Sequence, residues 1–116
     1  HNLAGAKALA ENLKQYFPNK QRVLLLGILK DKDVEGIIQT LVLPDDLVVV
    51  TEPDSERAAS AEIVVKKVSA KFVTAISDSQ LALKTALALK QENSILCVAG
   101  SLYLIGKIRS LLKANS

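Results

Sequence analysis

The sequence predicts an α/β domain: a doubly wound, mostly parallel sheet of about four to six strands with helices on both faces. Three observations lead there. Apolar runs rich in Val, Ile and Leu alternate with segments whose apolar residues recur at helical spacing, so single helices separate the strands. Of the 116 residues, 49% are hydrophobic, yet only Tyr16, Phe17, Phe72 and Tyr103 are aromatic. A core of Leu, Ile, Val and Ala suits helices packed on a sheet that is buried on both sides. Finally, the apolar run Ile95 to Ala99 meets a helical pattern through Gly100 and Ser101 alone, the short strand-to-helix joint of such sheets.

The elements follow in order. Leu3, Ala6, Leu9, Ala10, Leu13, Tyr16 and Phe17 recur at helical spacing, and Pro18-Asn19 ends the run. Arg22 to Leu29 is a continuous apolar strand. Asp33 to Leu41 reads as a short helix whose acidic start favours the positive end of the helix dipole. Pro44-Asp45-Asp46 turns the chain into a second buried strand, Leu47 to Thr51. Asp54 or Ser55 is positioned to cap a third helix running to about Val68. Lys71 to Ile76 is a shorter strand. Ser77 and Gln80 have capping-box spacing and open a helix to about Gln91. The strand Ile95 to Ala99 and a final helix to about Lys113 complete the chain, which is expected to be a single domain over residues 1–116.

Single-helix connections imply parallel strands, right-handed crossovers and the order 3-2-1-4. Ligands of such sheets sit beyond the carboxyl ends of the strands, where the order reverses. The loop Gly27 to Asp33 then faces the joint Ala99 to Tyr103. The first helix runs antiparallel to the first strand, so His1 and Asn2 are expected at the same edge as Lys32 and Ser101. Gly100 suits a sharp bend or a close backbone approach. Ser101 reads either as an ordinary N-cap or as part of an anion-binding helix start. On a helical wheel Leu104, Ile105, Ile108, Leu111 and Leu112 share the buried face, and Tyr103 falls opposite, beside Lys107 and Ser110. Lys30 and Lys32 are either solvated loop charges or, at Lys32, a point charge for a phosphate or carboxylate. Asp31, Asp33 and Glu35 read as helix-start charges rather than as metal ligands.

Several chemistries are excluded. One cysteine rules out an internal disulfide and a multi-cysteine zinc site, and Cys97, flanked by Leu96 and Val98, reads as a small buried hydrophobe. There is no G-x-G-x-x-G, and Gly100 to Lys107 departs from a P-loop in glycine spacing and at Ile108. The net charge of +3 comes from scattered lysines without interleaved aromatics, which argues against nucleic acid and suits a small anionic substrate. No apolar stretch approaches the roughly 18 to 20 residues that span a bilayer, so neither membrane insertion nor a signal peptide is expected. A cytoplasmic protein is the expectation. Helical periodicity already under way at Leu3, with no methionine, leads us to expect a piece of a longer polypeptide.

Three strings, His1-Asn-x-x-Gly-Ala-x-Ala-Leu9, Gly27-Ile-Leu-Lys-Asp-Lys-Asp33 and Ala99-Gly-Ser-Leu-Tyr-Leu-Ile-Gly106, together resemble the C-terminal domain of the folylpolyglutamate synthase and dihydrofolate synthase family, within the Mur ligase superfamily. Pro53-Asp-Ser-Glu-Arg-Ala58 is similar to the segment after the family's second strand in this domain. The resemblance covers essentially the whole chain. The family's opening motif is Asp-Gly-Ala-His-Asn-Pro; this chain starts within it, and Leu3 stands where the family has proline, which costs pre-organisation of the first helical turn.

The resemblance implies a Rossmann-like domain of an ATP-dependent amide ligase that joins L-glutamate to a folate glutamate or to dihydropteroate through an acyl phosphate. It implies ATP and Mg²⁺ as cofactors, held mainly by an N-terminal P-loop domain that would be the partner of this one. By match, His1 and Ser101 would contact glutamate and Tyr103 would line that region. Asn2 and Lys32 would contact nucleotide, phosphate or carboxylate. No catalytic or metal-ligating residue is expected in this chain alone, and alone it is expected to be inactive. The other readings are a cell-wall Mur ligase domain and a stand-alone α/β binding module.

Overall fold

A computed structural model describes the backbone of residues 2–114 and the side chains of all of these except 102, 103 and 114. The elements are α1 (Leu3–Tyr16), β1 (Gln21–Leu26), α2 (Val34–Leu41), β2 (Leu47–Val50), α3 (Ala61–Val65), β3 (Phe72–Ala75), α4 (Ser79–Leu89), β4 (Ser94–Ala99) and α5 (Leu102–Ala114). The four strands form one sheet in the order β3-β2-β1-β4, every pair parallel. The expected class and strand order therefore hold.

Alternation along the strands sends successive side chains to opposite faces. Leu24, Leu26, Val48 and Val50 pack with Ala6, Ile37, Ile38, Leu41, Ala61 and Val64, so α1, α2 and α3 cover one face. Val23, Leu25 and Val49 pack with Ala82, Leu83, Ala86, Leu104 and Ile108, so α4 and α5 cover the other. In β1 the residues from Arg22 to Leu26 are all buried, which explains why that strand reads as an unbroken apolar run. Leu104 and Ile108 carry the inner face of α5 as expected, but Leu112 is 47% exposed and lies outside it. Cys97 is half-buried, and burial pushes its thiol up, away from the reactive thiolate.

Three boundaries differ from the sequence expectation, each for a tertiary reason. The first strand stops at Leu26 rather than Leu29. Its last cross-strand bonds run from Thr51 N–H to the Leu26 carbonyl (2.8 Å) and from Gly27 N–H to the Ala99 carbonyl (3.1 Å). Beyond them Leu29 forms an antiparallel bridge with Ala58. That bridge also removes the expected start of the third helix. Residues from 54 to 60 are drawn onto the loop after β1, and α3 runs only from Ala61 to Val65. Its cap is not Asp54 or Ser55: the Glu52 carboxylate accepts from Ala61 N–H at 3.0 Å. In α4 the cap is Asp78, which accepts from Leu81 N–H at 2.9 Å. Ser77 instead uses its carbonyl to accept from the Thr51 hydroxyl at 3.2 Å, tying together the ends of β2 and β3.

Candidate functional site

Every strand is followed by a helix that returns along the sheet, and α1 precedes β1 in the same sense. The helix N-termini therefore gather at the carboxyl edge of the sheet. Their aligned peptide dipoles point positive ends at that edge, where the carboxylates of Asp33, Glu52 and Asp78 already accept from the starts of α2, α3 and α4. Asn2 caps α1, its Oδ1 accepting from Gly5 N–H at 2.8 Å. Asp33 caps α2, accepting from Gly36 N–H at 3.0 Å.

At the centre of the edge two glycines meet. Leu26 of β1 pairs with Ala99 of β4, so Gly27 and Gly100 leave the sheet side by side. Gly100 has φ +114°, a left-handed conformation that side-chain-bearing residues rarely adopt, and a Cβ there would collide with the Gly27 carbonyl. A Cβ on Gly27 would come within 2.8 Å of Leu104 Cδ2 and 3.2 Å of Pro53 Cδ. Backbone thus packs on backbone, and the loop after β1 is pressed against the start of α5. Ser101 occupies that start: it is 2% exposed, and its carbonyl accepts from Ile105 N–H at 3.0 Å. Beside the joint a cavity of about 320 Å³ is lined by Gly5, Leu9, Ile37, Ala99, Gly100 and Ile105, so α1 opens next to the same joint.

The loop from Gly27 to Asp33 carries exposed charge. Lys30, Asp31 and Lys32 all face solvent. Lys30 N–H donates to the Arg57 carbonyl at 2.7 Å, and Ala59 N–H donates to the Ile28 carbonyl at 2.8 Å. The Arg57 guanidinium holds Asp31 at 2.6 Å. Desolvation pushes the Asp31 carboxyl up, but the Arg57 hydrogen bond, a backbone bond and the charges of Arg57 and Lys32 together bring it below the usual value. Glu35 is paired with Lys67 at 2.9 Å. With Asp31 on Arg57, Asp33 on a backbone amide and Glu35 on Lys67, these carboxylates are engaged by protein. Among the described residues no group of three or more His, Cys, Asp or Glu is placed to hold a metal ion.

Asn2, Lys32 and Ser101 therefore all belong to the carboxyl edge, with Asn2 and Lys32 exposed and Ser101 buried. His1 and the side chain of Tyr103 lie outside the described residues. Sequence reasoning passed over Arg57 and Thr51. Arg57 was visible as one residue of an expected helical turn and of a family-like segment, but without a role, because its partner Asp31 is 26 positions away. Thr51 was visible only as the last residue of an apolar strand.

A larger cavity, about 750 Å³, opens at the opposite, amino edge and is lined in part by Phe17, Arg22, Leu43 and Asp46. Its buried charges face the protein. Arg22 Nη2 donates to the Leu41 carbonyl at 2.6 Å and to Asp46 Oδ2 at 2.9 Å, and Leu43 N–H donates to the same carboxylate at 2.8 Å. Arg22 Nε is buried without a partner. Volume alone would select this cavity; the topology of ligand binding in parallel sheets selects the other edge.

The model of the family described as "Mur ligase, glutamate ligase domain" matches residues 1–102. The chain is 32% identical over 114 residues to the dihydrofolate synthase/folylpolyglutamate synthase of Buchnera aphidicola subsp. Schizaphis graminum, covering 96% of this chain and 27% of the relative. It thus spans little more than a quarter of that relative's length. Its structure is similar to that of Mycobacterium tuberculosis folylpolyglutamate synthase complexed with ADP and AMPPCP (TM-score 0.84, 31% identity), covering 96% of this chain and 28% of that one. It is similar also to folylpolyglutamate synthase from Thermotoga maritima (TM-score 0.82, 31% identity), covering 100% of this chain and 27% of that one.

Proposed function

The chain belongs to the Mur ligase glutamate ligase domain family, and on that premise we propose that it is the C-terminal, glutamate-binding domain of a longer, ATP-dependent folylpolyglutamate synthase/dihydrofolate synthase. In the reaction, a carboxylate oxygen of the folate glutamate or of dihydropteroate attacks the γ-phosphorus of ATP, giving an acyl phosphate and ADP. The amine nitrogen of L-glutamate then attacks the acyl carbon. The C–N bond forms as phosphate leaves, and the amine gives up a proton. The named relatives favour this folate branch over a cell-wall ligase.

The part played by this domain is orientation and charge, with no proton transfer required of it. His1 and Ser101 contact the incoming glutamate, and Tyr103 lines its site. Ser101 stands at the start of α5 and is 2% exposed. Lys32, exposed on its loop, offsets the negative charge that builds up on phosphate or carboxylate as the acyl phosphate forms and breaks. Asn2 adds a polar contact at the start of α1. Lys32 and the positive end of α1 fit a phosphate, while most of the metal ligands would belong to an N-terminal P-loop domain. Mg²⁺ bound there supplies charge neutralisation of the nucleotide. The enzyme works in the cytoplasm; no described helix is long and apolar enough to cross a membrane.

The observation that most supports this reading is the glycine joint. Gly27 and Gly100 lie backbone to backbone, so the loop leading to Lys32 and the helix start at Ser101 flank one point on the carboxyl edge. The test is ADP formation dependent on both glutamate and folate. The full-length protein is expected to show it, and residues 1–116 alone are expected to show none. Turnover by this piece alone, or its absence from the full-length protein, would overturn the proposal.

A further inference from the structure

We propose that Arg57 is a positioning residue for this reaction: by holding Asp31 it fixes the loop that carries Lys32 and leaves the charge of Lys32 available to an anionic ligand. The inference rests on the role proposed above for Lys32.

The segment after β2 braces the loop after β1 at successive points. Ala59 N–H meets the Ile28 carbonyl, Leu29 bridges Ala58, and Lys30 N–H meets the Arg57 carbonyl. Backbone pairing ends there. Between Lys30 and the start of α2, the remaining backbone bonds described are local, from Lys32 N–H to the Leu29 carbonyl (3.2 Å) and from Val34 N–H to the Lys32 carbonyl (2.8 Å). Between Asp31 and Asp33 the one described bond from a distant part of the chain is the Arg57 guanidinium on Asp31; the next, from Lys67 to Glu35, already lies within α2. The Arg57 bond extends the brace to the residue next to Lys32.

The pair also decides the local charge. Asp31 lies between Lys30 and Lys32 in the chain. With Arg57 absent, its carboxylate is released to pair with either lysine, and an anionic ligand would compete with it for Lys32. With Arg57 present, Asp31 is already paired. Both partners keep about half of their side chains in water (50% and 49%), and exposed pairs of this kind add little to stability. A substitution here therefore acts on position and charge far more than on folding.

The experiment uses the full-length ligase and compares steady-state kinetics and melting temperature for Lys32→Ala, Arg57→Ala, Arg57→Lys and the double variant Lys32→Ala/Arg57→Ala. Lys32→Ala identifies the substrate, ATP or glutamate, whose kcat/KM depends on that lysine. Arg57→Ala is expected to lower kcat/KM for that same substrate by about tenfold, as misplacement of a charged group does. Arg57→Lys recovers most of the loss, the double variant is no worse than Lys32→Ala, and the melting temperature is unchanged. Losses that multiply in the double variant, or normal kinetics for Arg57→Ala beside an impaired Lys32→Ala, would overturn the inference and leave the proposed function standing. An equal loss for all substrates accompanied by a lower melting temperature would show a merely structural residue and overturn it too. Normal kinetics for Lys32→Ala would remove the role of Lys32, and this inference with it.

Discussion

At the amino edge of the sheet Arg22 is 7% exposed and Asp46 2%, whereas at the carboxyl edge Arg57 and Asp31 keep half of their side chains in water. Both edges hold an arginine–aspartate pair, at 2.9 Å and 2.6 Å. The first is locked to the backbone of the α2–β2 turn through Leu41 and Leu43, and so is built into the structure. The second joins two loops across the surface, with the exposed Lys32 next to Asp31 in the chain. The buried pair belongs to the fold; the exposed pair is the one proposed above to position Lys32 for a ligand. The contrast supports placing the proposed site at the carboxyl edge rather than in the more spacious cavity at the amino edge.

Breaking the amino-edge pair is expected to have the largest effect. Arg22→Ala leaves Asp46 buried and unpaired, which costs about 3–5 kcal/mol of stability. The fall in the urea midpoint checks this, and the kinetic constants of the enzyme that remains folded should be unchanged. Gly100→Ala comes next. A left-handed residue forced to carry a Cβ costs about 1–3 kcal/mol, and the collision with the Gly27 carbonyl adds to it, so both the urea midpoint and activity should fall.

The order of these effects reflects what was legible in the sequence. Strand and helix alternation, the order β3-β2-β1-β4 and the meeting of Gly27 with Gly100 followed from local pattern plus topology. The short α3 did not follow. Residues from 54 to 60 have helix-capping chemistry, but the chain uses them to pair with Ile28, Leu29 and Lys30, a contact that no local window contains. Ser77 likewise has capping-box spacing, and Asp78 takes the cap because the Ser77 carbonyl is engaged with Thr51. Asn2, Lys32 and Ser101 were placed at the carboxyl edge by connectivity; Arg57 was not, since only the folded loop brings it to Asp31.

The third prediction separates function from stability. Lys32→Ala removes an exposed charge, so the urea midpoint should move by no more than about 0.5 kcal/mol of stability. Its effect on kcat/KM for the anion it faces should be about tenfold or more. A stability loss matching that of Arg22→Ala would erase the distinction between the two edges.

The smallest effect concerns pH and has opposite signs at the two edges. Burial pushes the Asp46 carboxyl above its ordinary value of 3.8, outweighing the Leu43 N–H and Arg22. Its contribution to stability is full below pH 3.8 and lost as pH rises through the raised value. Asp31 is held below 3.8, so its contribution is present above that pH and lost as pH falls through the lowered value. Urea titrations at several pH values should therefore show the wild-type advantage over Asp46→Asn shrinking with rising pH, and the advantage over Asp31→Asn growing.

The central claim, that the carboxyl edge holds the incoming glutamate, is tested most directly by the glutamate KM of full-length Ser101→Ala. The expected result is a raised KM for glutamate with the ATP KM little changed. An unchanged glutamate KM beside a large loss of ATP affinity would contradict it.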